Sequence, residues 1–241
     1  MTGTGASRRA ALRTRRIIVA LLLGLAVTPM LAGCSAGLSD TGAPLTIAQA
    51  EQLAGSRFAL YAKGPFTAVV SYLPDDDVDH IAARLTVDPE THRAWGTLER
   101  GPEGLAVSTP VLVAPGGLAV DQGGAWRPAD AQAGARLAVQ GVFLLVADRP
   151  ENAQLLRQSD AVHLGSADEN GETLDVYRLP SSADDAGASW TGAQSRIWLT
   201  ADGEMRRVDS GEGGALEIVL TGDEPVEAPR GAEEVWRAIG G

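Results

Sequence analysis

The chain has a single cysteine, Cys34, among its 241 residues, so it cannot form an intramolecular disulfide. Exported domains that lack disulfides must be stabilised by their hydrophobic core alone. About 200 residues follow Cys34, which is enough chain to bury one sizeable core. The sequence therefore predicts one domain that is held together by packing.

Basic residues are also scarce. The chain has 20 lysines and arginines against 31 acidic residues, and Lys63 is its only lysine. Five of the arginines lie in the first 16 residues, so the rest of the chain has 15 basic residues against 31 acidic ones. An acidic surface of this kind repels phosphate backbones and anionic membrane faces. Electrostatic binding to nucleic acid is therefore excluded from the predicted functions.

Sequence motifs for catalysis are missing. A nucleophile elbow requires Gly-x-Ser-x-Gly, and the nearest stretch, residues 187–192 around Ser189, has one residue too many and lies in a polar loop. A Ser-x-x-Lys motif is excluded because Leu60 stands three residues before Lys63. No glycine-rich phosphate loop follows a predicted strand. We therefore predict no catalytic residues, no cofactor and a chain that is not an enzyme.

Patterns of metal ligands are missing too. The histidines, His80, His92 and His163, are isolated from one another and lie in or beside predicted strands, where such residues are usually surface or packing residues. The densest acidic run, residues 75–79, has aspartates at the first positions of a calcium loop. His80 replaces the glycine that such a loop requires, and Thr86 replaces its bidentate glutamate. We predict no metal site and interpret the acidic run as a solvated turn.

Aromatic residues make up only 5% of the chain. The five tryptophans are dispersed along the sequence, which gives no basis for predicting a platform that stacks on sugars. They are Trp95, Trp126, Trp190, Trp198 and Trp236.

The N-terminus has the most specific pattern in the sequence. Arginines without any acid precede an apolar run over residues 17–27, which is shorter than the roughly 20 residues of a membrane-spanning helix. A basic region, a short apolar region and small residues before a cleavage site are the parts of a secretory signal. The run ends in a tetrapeptide that resembles the lipobox of bacterial lipoproteins: Leu31, Ala32, Gly33 and Cys34.

The lipobox resemblance implies that the Cys34 thiol carries diacylglycerol and that the signal is cut just before it. We therefore predict a signal peptide over residues 1–33, a flexible tether over 34–45, and a single domain over 46–241. The lipid would hold the domain at the extracytoplasmic face of the cell membrane. The alternative is a buried or incidental cysteine in an uncleaved anchor helix. The general and the twin-arginine export routes both stay open.

Hydrophobic periodicity predicts a helix first and then strands. Thr46 and Gln49 have the spacing of a capping box, and a helix is expected over residues 46–62. Period-two alternation then predicts a meander of short antiparallel strands with one buried face. The alternating residues of its first two strands are Phe66, Ala68, Val70, Tyr72, Ile81, Ala83, Leu85 and Val87.

The middle of the chain breaks this alternation. Residues 131–158 are mostly apolar and are predicted to be helical, with Asp148 as a cap and Pro150 in the first turn that follows. Asn170-Gly171 and Asp202-Gly203 then predict two hairpins, and a further strand and a short terminal helix are expected after them.

This order of elements resembles the LppX/LprG group of actinobacterial envelope lipoproteins, which are distantly similar to the carrier LolA. Segments 117–130, 170–180, 197–207 and 224–229 match patterns of that group, the last of them its closing strand. The third departs from the pattern, with Thr200 in place of an acidic residue. The resemblance implies an α+β fold, a strongly curved antiparallel β-sheet (half-barrel) with helices covering its concave face.

In that family an apolar cavity beneath the helices carries the acyl chains of lipids or glycolipids. The resemblance thus implies a membrane-anchored lipoprotein that binds or transfers lipid during envelope lipid trafficking. The apolar stripes mix bulky side chains with alanine, which fits such a cavity and fits a packed core equally well. The alternatives are a scaffold lipoprotein that binds another envelope protein and a lipid hydrolase. The predicted partners are the membrane, a lipid or glycolipid, and an envelope protein.

Overall fold

A computed structural model describes residues 37–73, 80–101, 107–129, 133–180, 195–210 and 216–240. The strands within these residues are β1 (Ala43–Pro44), β2 (Phe66–Tyr72), β3 (His80–Asp88), β4 (Arg93–Gly101), β5 (Val107–Ala114), β6 (Gly117–Asp121), β7 (Trp126–Pro128), β8 (Val162–Glu169), β9 (Glu172–Arg178), β10 (Arg196–Leu199), β11 (Met205–Asp209) and β12 (Leu216–Leu220). The helices are α1 (Ile47–Ala62), α2 (Ala133–Gln140), α3 (Ala153–Gln158) and α4 (Ala232–Ile239), with a 3-10 helix at Gly141–Leu145.

All of these strands belong to one antiparallel sheet, in the order β1-β8-β9-β10-β11-β12-β2-β3-β4-β5-β6-β7. Two meanders, β2 to β7 and β8 to β12, are joined where Ile218 of β12 pairs with Val70 of β2. The order begins at β1 and ends at β7, so the sheet is curved but not closed. The predicted α+β class with a curved antiparallel sheet is confirmed.

The concave face of the sheet is apolar along both meanders. Ala68 and Val70 of β2 are fully buried there, and so are Ala83 and Leu85 of β3, as the alternation predicted. Helices α1 and α3, together with the 3-10 helix and the end of α2, contribute to the same buried cluster. The hydrophobic core therefore lies between the sheet and this helical layer.

Helix α1 begins at the predicted capping box. The backbone N–H of Gln49 donates to Thr46 Oγ1 at 3.2 Å, and the backbone N–H of Thr46 donates to Gln49 Oε1 at 3.0 Å. These two bonds satisfy donors that the first turn of a helix leaves without partners. Ala50, Leu53 and Ala54 are buried at helical spacing, so the apolar side of α1 faces the sheet.

The helical middle is shorter and more divided than predicted. Asp148 caps no helix; the cap of α3 is Asn152, whose Oδ1 accepts hydrogen bonds from the backbone N–H groups of Gln154 and Leu155. Pro150 explains the difference, because the residue before a proline is disfavoured in helical conformation. The irregular residues between the 3-10 helix and α3 bond to α1 instead, and α3 packs along that helix.

The C-terminal segment 224–229, which resembles a closing strand, is not a strand. Pro225 and Pro229 lack backbone donors, so the segment cannot form a continuous ladder. It is held by side chains of the sheet: the N–H of Val226 donates to Thr86 Oγ1, and Trp95 Nε1 donates to the Val226 carbonyl. The segment leads to α4, which packs on the convex face of β5 and β6.

The residues predicted as a flexible tether are held against the sheet from Leu38 onwards. Strand β1 pairs with β8, and the N–H of Ser39 donates to the Leu164 carbonyl at 2.8 Å. Arg178 Nη1 donates to the carbonyl of Asp40 at 3.0 Å. Leu38 packs on a convex-face cluster that we call the β8–β10 cluster, made of Leu164, Leu174, Val176 and Trp198.

Candidate functional site

The candidate site is the apolar interior between the concave face and the helical layer. Its sheet wall alternates small and bulky side chains along neighbouring strands. Its helical wall comes from α1, the 3-10 helix and α3. The buried residues that line the two walls include Ala68, Val70, Ala83, Leu85, Ala94, Val111 and Val113 from the sheet and Ala50, Leu53, Ala54, Val142, Phe143, Leu145 and Leu156 from the helical layer.

In this structure the helical layer is packed closely against the sheet. Side chains from both walls belong to one continuous buried cluster, and Phe143 and Leu156 are each only 7% exposed. Dense packing of this kind is the ordinary state of a protein interior. The described side chains of the two walls are therefore in contact with one another in this structure.

Polar contacts between the helices and the sheet lie at the rim of this interior. Gln52 of α1 donates through Nε2 to the carbonyls of Thr200 and Ala201, at 2.9 and 3.1 Å. Its Oε1 accepts the hydroxyl of Tyr177 at 2.6 Å. Burial, and then the charge of Asp175, raise the pKa of that hydroxyl above its ordinary value, so Tyr177 stays a donor.

Two further contacts hold the same helix. Arg57 Nη1 binds Glu151 Oε1 at 2.8 Å, and its Nη2 donates to the Val146 carbonyl at 3.2 Å. Lys63 Nζ binds Glu204 Oε1 at 2.5 Å, and this bond, more than any other contact, lowers the pKa of the Glu204 carboxyl. An open cleft of about 190 Å³ lies beside this pair, between α1 and the β10–β11 turn.

The predicted lipidation site lies outside the described residues. This applies to the whole lipobox, Leu31, Ala32, Gly33 and Cys34, so its chemistry stays a prediction. The acidic run over residues 75–79 and the loop around Ser189 also lie outside them.

One Ser, Asp and His group tests the hydrolase alternative. Ser166 Oγ donates to Asp175 Oδ1 at 2.8 Å, and His163 Nε2 lies 3.2 Å from the same oxygen. In a hydrolase the imidazole lies between serine and acid, where it can accept the serine proton. Here the carboxylate lies between them, so the imidazole of His163 is not placed to accept the proton of Ser166.

Among the described residues no three His, Cys, Asp or Glu side chains are close enough to hold a metal ion. Within the same part of the chain no helix is long and apolar enough to cross a membrane.

The tryptophans are not as dispersed as the sequence indicated. Trp95, Trp126 and Trp236 meet on the convex face, where Trp236 is buried and its ring centroid lies 5.7 Å from that of Trp95. Sequence reasoning missed this group because its members come from β4, β7 and α4. The signal available in the sequence was strand alternation: Ala94 faces the interior, so its neighbour Trp95 faces the convex side.

No family model matches the chain, and no curated protein is similar to it in sequence. LprF from Mycobacterium bovis aligns with a TM-score of 0.49 at 17% identity, over 78% of this chain and 99% of LprF. Lipoprotein LppX from Mycobacterium tuberculosis aligns with a TM-score of 0.46 at 16% identity, over 76% of this chain and 97% of LppX. A LolA superfamily protein from Nitrosomonas europaea aligns with a TM-score of 0.30 at 12% identity, over 71% of this chain and 74% of that protein. The solved structures to which this chain is similar thus include the lipoprotein LppX, which belongs to the group that the sequence motifs resemble.

Proposed function

We propose that the chain is a lipoprotein of the cell envelope, anchored through Cys34, that binds or transfers lipid or glycolipid between its curved sheet and its helical layer. The observation that carries the proposal is the composition of that interface. Both walls are apolar, and the polar contacts of α1 lie at the rim. Separating the layers would therefore expose a largely apolar cleft, in which the buried Tyr177 hydroxyl would lose its partner on α1, Gln52.

The packed structure is the closed state under this proposal. Opening would break the contacts of Gln52 and Lys63 with the sheet and its β10–β11 turn. The Lys63–Glu204 pair is largely exposed and contributes little to stability. Shear of packed helices over a sheet is a common way for an apolar cleft to open. An acyl chain would then replace helix–sheet contacts with lipid–protein contacts of similar polarity.

Lipid binding is tested directly on residues 35–241, which form one compact unit. Native mass spectrometry after expression in a bacterial envelope should reveal a bound lipid, which solvent extraction removes. The Ala83→Leu variant should reduce lipid occupancy, because Ala83 faces the interior and is 1% exposed. Ala82→Leu is the matched control, since Ala82 is the adjacent residue and points to the other face. Absence of lipid in the original chain, both on purification and after incubation with phospholipid vesicles, would contradict the proposal.

The anchor has its own test. Cys34→Ala in the full chain should move the protein from the membrane fraction to the soluble fraction, because the only thiol that could be acylated is removed. The far-UV circular dichroism spectrum should stay unchanged, since the described core does not include this residue. Ser35→Ala serves as the control and should remain in the membrane fraction. Retention of the Cys34→Ala protein in membranes would contradict the anchor.

The contacts that bind residues 38–44 to the sheet would keep the domain close to the membrane. With the chain bound to β8 from Leu38 onwards, only three residues lie between the lipidated Cys34 of the proposal and Leu38, so the two are at most about 14 Å apart along extended chain. The β8 side of the domain would then stay next to the lipid pool from which a carrier takes its cargo.

A scaffold role is the second candidate, and exposed apolar residues favour it. Ile47 of α1 is 61% exposed and Leu155 of α3 is 62% exposed. The N–H of Ala147 donates to the Arg57 carbonyl and that of Glu151 to the Ala54 carbonyl, so the two segments run antiparallel and bring Ile47 and Leu155 to the same end. An Ile47→Ser and Leu155→Ser double variant that loses a crosslinked envelope protein but keeps its lipid would favour this role.

A further inference from the structure

A second cleft lies away from the proposed lipid interior. It has a volume of about 520 Å³ and lies on the rim between α4 and the turns that connect β3 to β4 and β5 to β6. Its walls include His92, Arg93, Glu233, Trp236 and Arg237. The cleft is thus lined by three residues that can carry positive charge and by one acid, within a chain of net charge −11.

The single acid of the cleft is already neutralised. Arg93 Nη1 donates to both carboxylate oxygens of Glu233, at 2.6 and 2.8 Å, and its guanidinium carbon lies 5.1 Å from the centroid of the Trp236 ring. Arg237, in the last turn of α4, has no hydrogen bond or ion pair with any described residue. Its charge is therefore the uncompensated charge of the cleft.

A buried indole donor without an acceptor belongs to Trp236, one of the residues that line the cleft. Trp236 is only 4% exposed, and its Nε1–H is buried with no acceptor among the described residues, whereas Trp95 and Trp198 both donate to oxygen atoms. An unpaired buried donor is unusual in a native structure and calls for a missing acceptor. Indole and guanidinium groups can only donate, so the ligand they require must accept.

His92 adds a further donor. It lies at the end of the hairpin turn between Asp88 of β3 and Arg93 of β4, and its φ of 52° is the left-handed conformation common in such turns. Among the described residues its one ring contact is with Phe143, at 6.2 Å between centroids, so both ring nitrogens remain available.

We propose that this cleft binds a phosphate group, with Arg237, His92 and Trp236 as its donors. Arginine binds phosphate through two parallel hydrogen bonds, which fits a guanidinium that has no acid to pair with. The negative charge of the rest of the chain does not prevent this, because salt screens exposed charges beyond about 8–10 Å. The phosphate can be free in solution or belong to a lipid headgroup. The proposal does not depend on lipid entering the interior.

The experiment uses the full chain in an uncharged detergent. Inorganic phosphate at about 10 mM, ten times a millimolar Kd, should raise the melting temperature above that in chloride of equal ionic strength. Arg237→Gln should weaken phosphate binding by about 10- to 100-fold in calorimetry, the usual effect of losing hydrogen bonds to a charged group. Arg230→Gln is the matched control, because Arg230 is an exposed arginine near α4 that does not line the cleft.

A second variant separates binding from folding. Trp236→Phe keeps an aromatic ring against Trp95 and removes only the unpaired donor, so without phosphate its melting temperature should be unchanged or higher. Its stabilisation by phosphate should be reduced. A short-chain phosphatidic acid that binds when inorganic phosphate does not would assign the site to lipid headgroups and support the proposal. Failure of both probes, or equal binding by the Arg237→Gln and original proteins, would overturn it.

Discussion

Asp209→Ala is expected to lower the free energy of unfolding by about 3 kcal/mol. Asp209 is 5% exposed and accepts hydrogen bonds from Trp198 Nε1 and Arg196 Nε, both at 2.7 Å. Arg207 Nη2 lies 3.1 Å from the same carboxylate and stacks over Trp198 at 4.4 Å from the ring centroid. Removing the carboxylate leaves an indole donor and a largely buried guanidinium without these acceptors, which costs the desolvation energy of both.

The expected loss is at the lower end of the range for buried ion pairs for two reasons. The side chains of Arg196 and Arg207 are still 18% and 22% exposed, so water compensates them in part. Arg207 also keeps Glu217, whose carboxylate lies 2.9 Å from its Nε. Asp209→Asn should fall between the original protein and Asp209→Ala, because the amide oxygen can still accept one bond.

Asp223→Ala is the matched control for this prediction. Asp223 also pairs with an arginine, Arg84, at 2.7 Å, but both side chains are more than half exposed. A surface pair of this kind contributes about 0–1 kcal/mol. Urea unfolding of both variants gives the comparison. Equal losses for Asp209→Ala and Asp223→Ala would mean that the burial of Asp209 has no energetic consequence.

Local signals in the sequence were sufficient for most of the elements. The capping box at Thr46 fixed the start of α1, and Asn170-Gly171 identified the β8–β9 turn, where Asn170 adopts the left-handed conformation that such a turn requires. Alternation identified the faces of β2 and β3 because the apolar residues of one face are buried, whereas the other face is more exposed apart from Thr67 and Thr86. In each case the determining contact lies within a few residues along the chain.

Contacts between distant residues could not be predicted in this way. The pairing of β12 with β2 joins Leu220 to Ala68, and no local pattern specifies which strands of two meanders become neighbours. The Trp198–Asp209 bond depends on the β10–β11 register, which is irregular next to Trp198. Packing against α1 divides the helical middle, and apolar periodicity does not contain that information. The phosphate cleft has walls from three separate parts of the chain for the same reason.

Gly96→Ala should destabilise the domain by about 3 kcal/mol or more, because it would disturb the close contact of β4 with β3. Gly96 of β4 pairs with Leu85 of β3, and a Cβ at this position would lie 1.9 Å from the carbonyl oxygen of Arg84. That atom belongs to the backbone, so a side-chain rotation cannot relieve the clash. Overpacking that displaces backbone usually costs 1–3 kcal/mol and occasionally more, and here the β3–β4 ladder must also separate.

Gly55→Ala is the matched substitution with the opposite expected sign. Gly55 lies in α1, and a Cβ there would meet no atom within 4 Å outside the neighbouring helix backbone. The alanine should therefore stabilise the domain by about 0.5–1 kcal/mol through the lower entropy of the unfolded chain. The urea unfolding midpoints of both variants, each compared with that of the original protein, test these two opposite expectations. A glycine inside a strand marks a bend or a close backbone approach, so a tolerated Gly96→Ala would mean that the curvature over the concave interior does not depend on the close contact of β3 with β4.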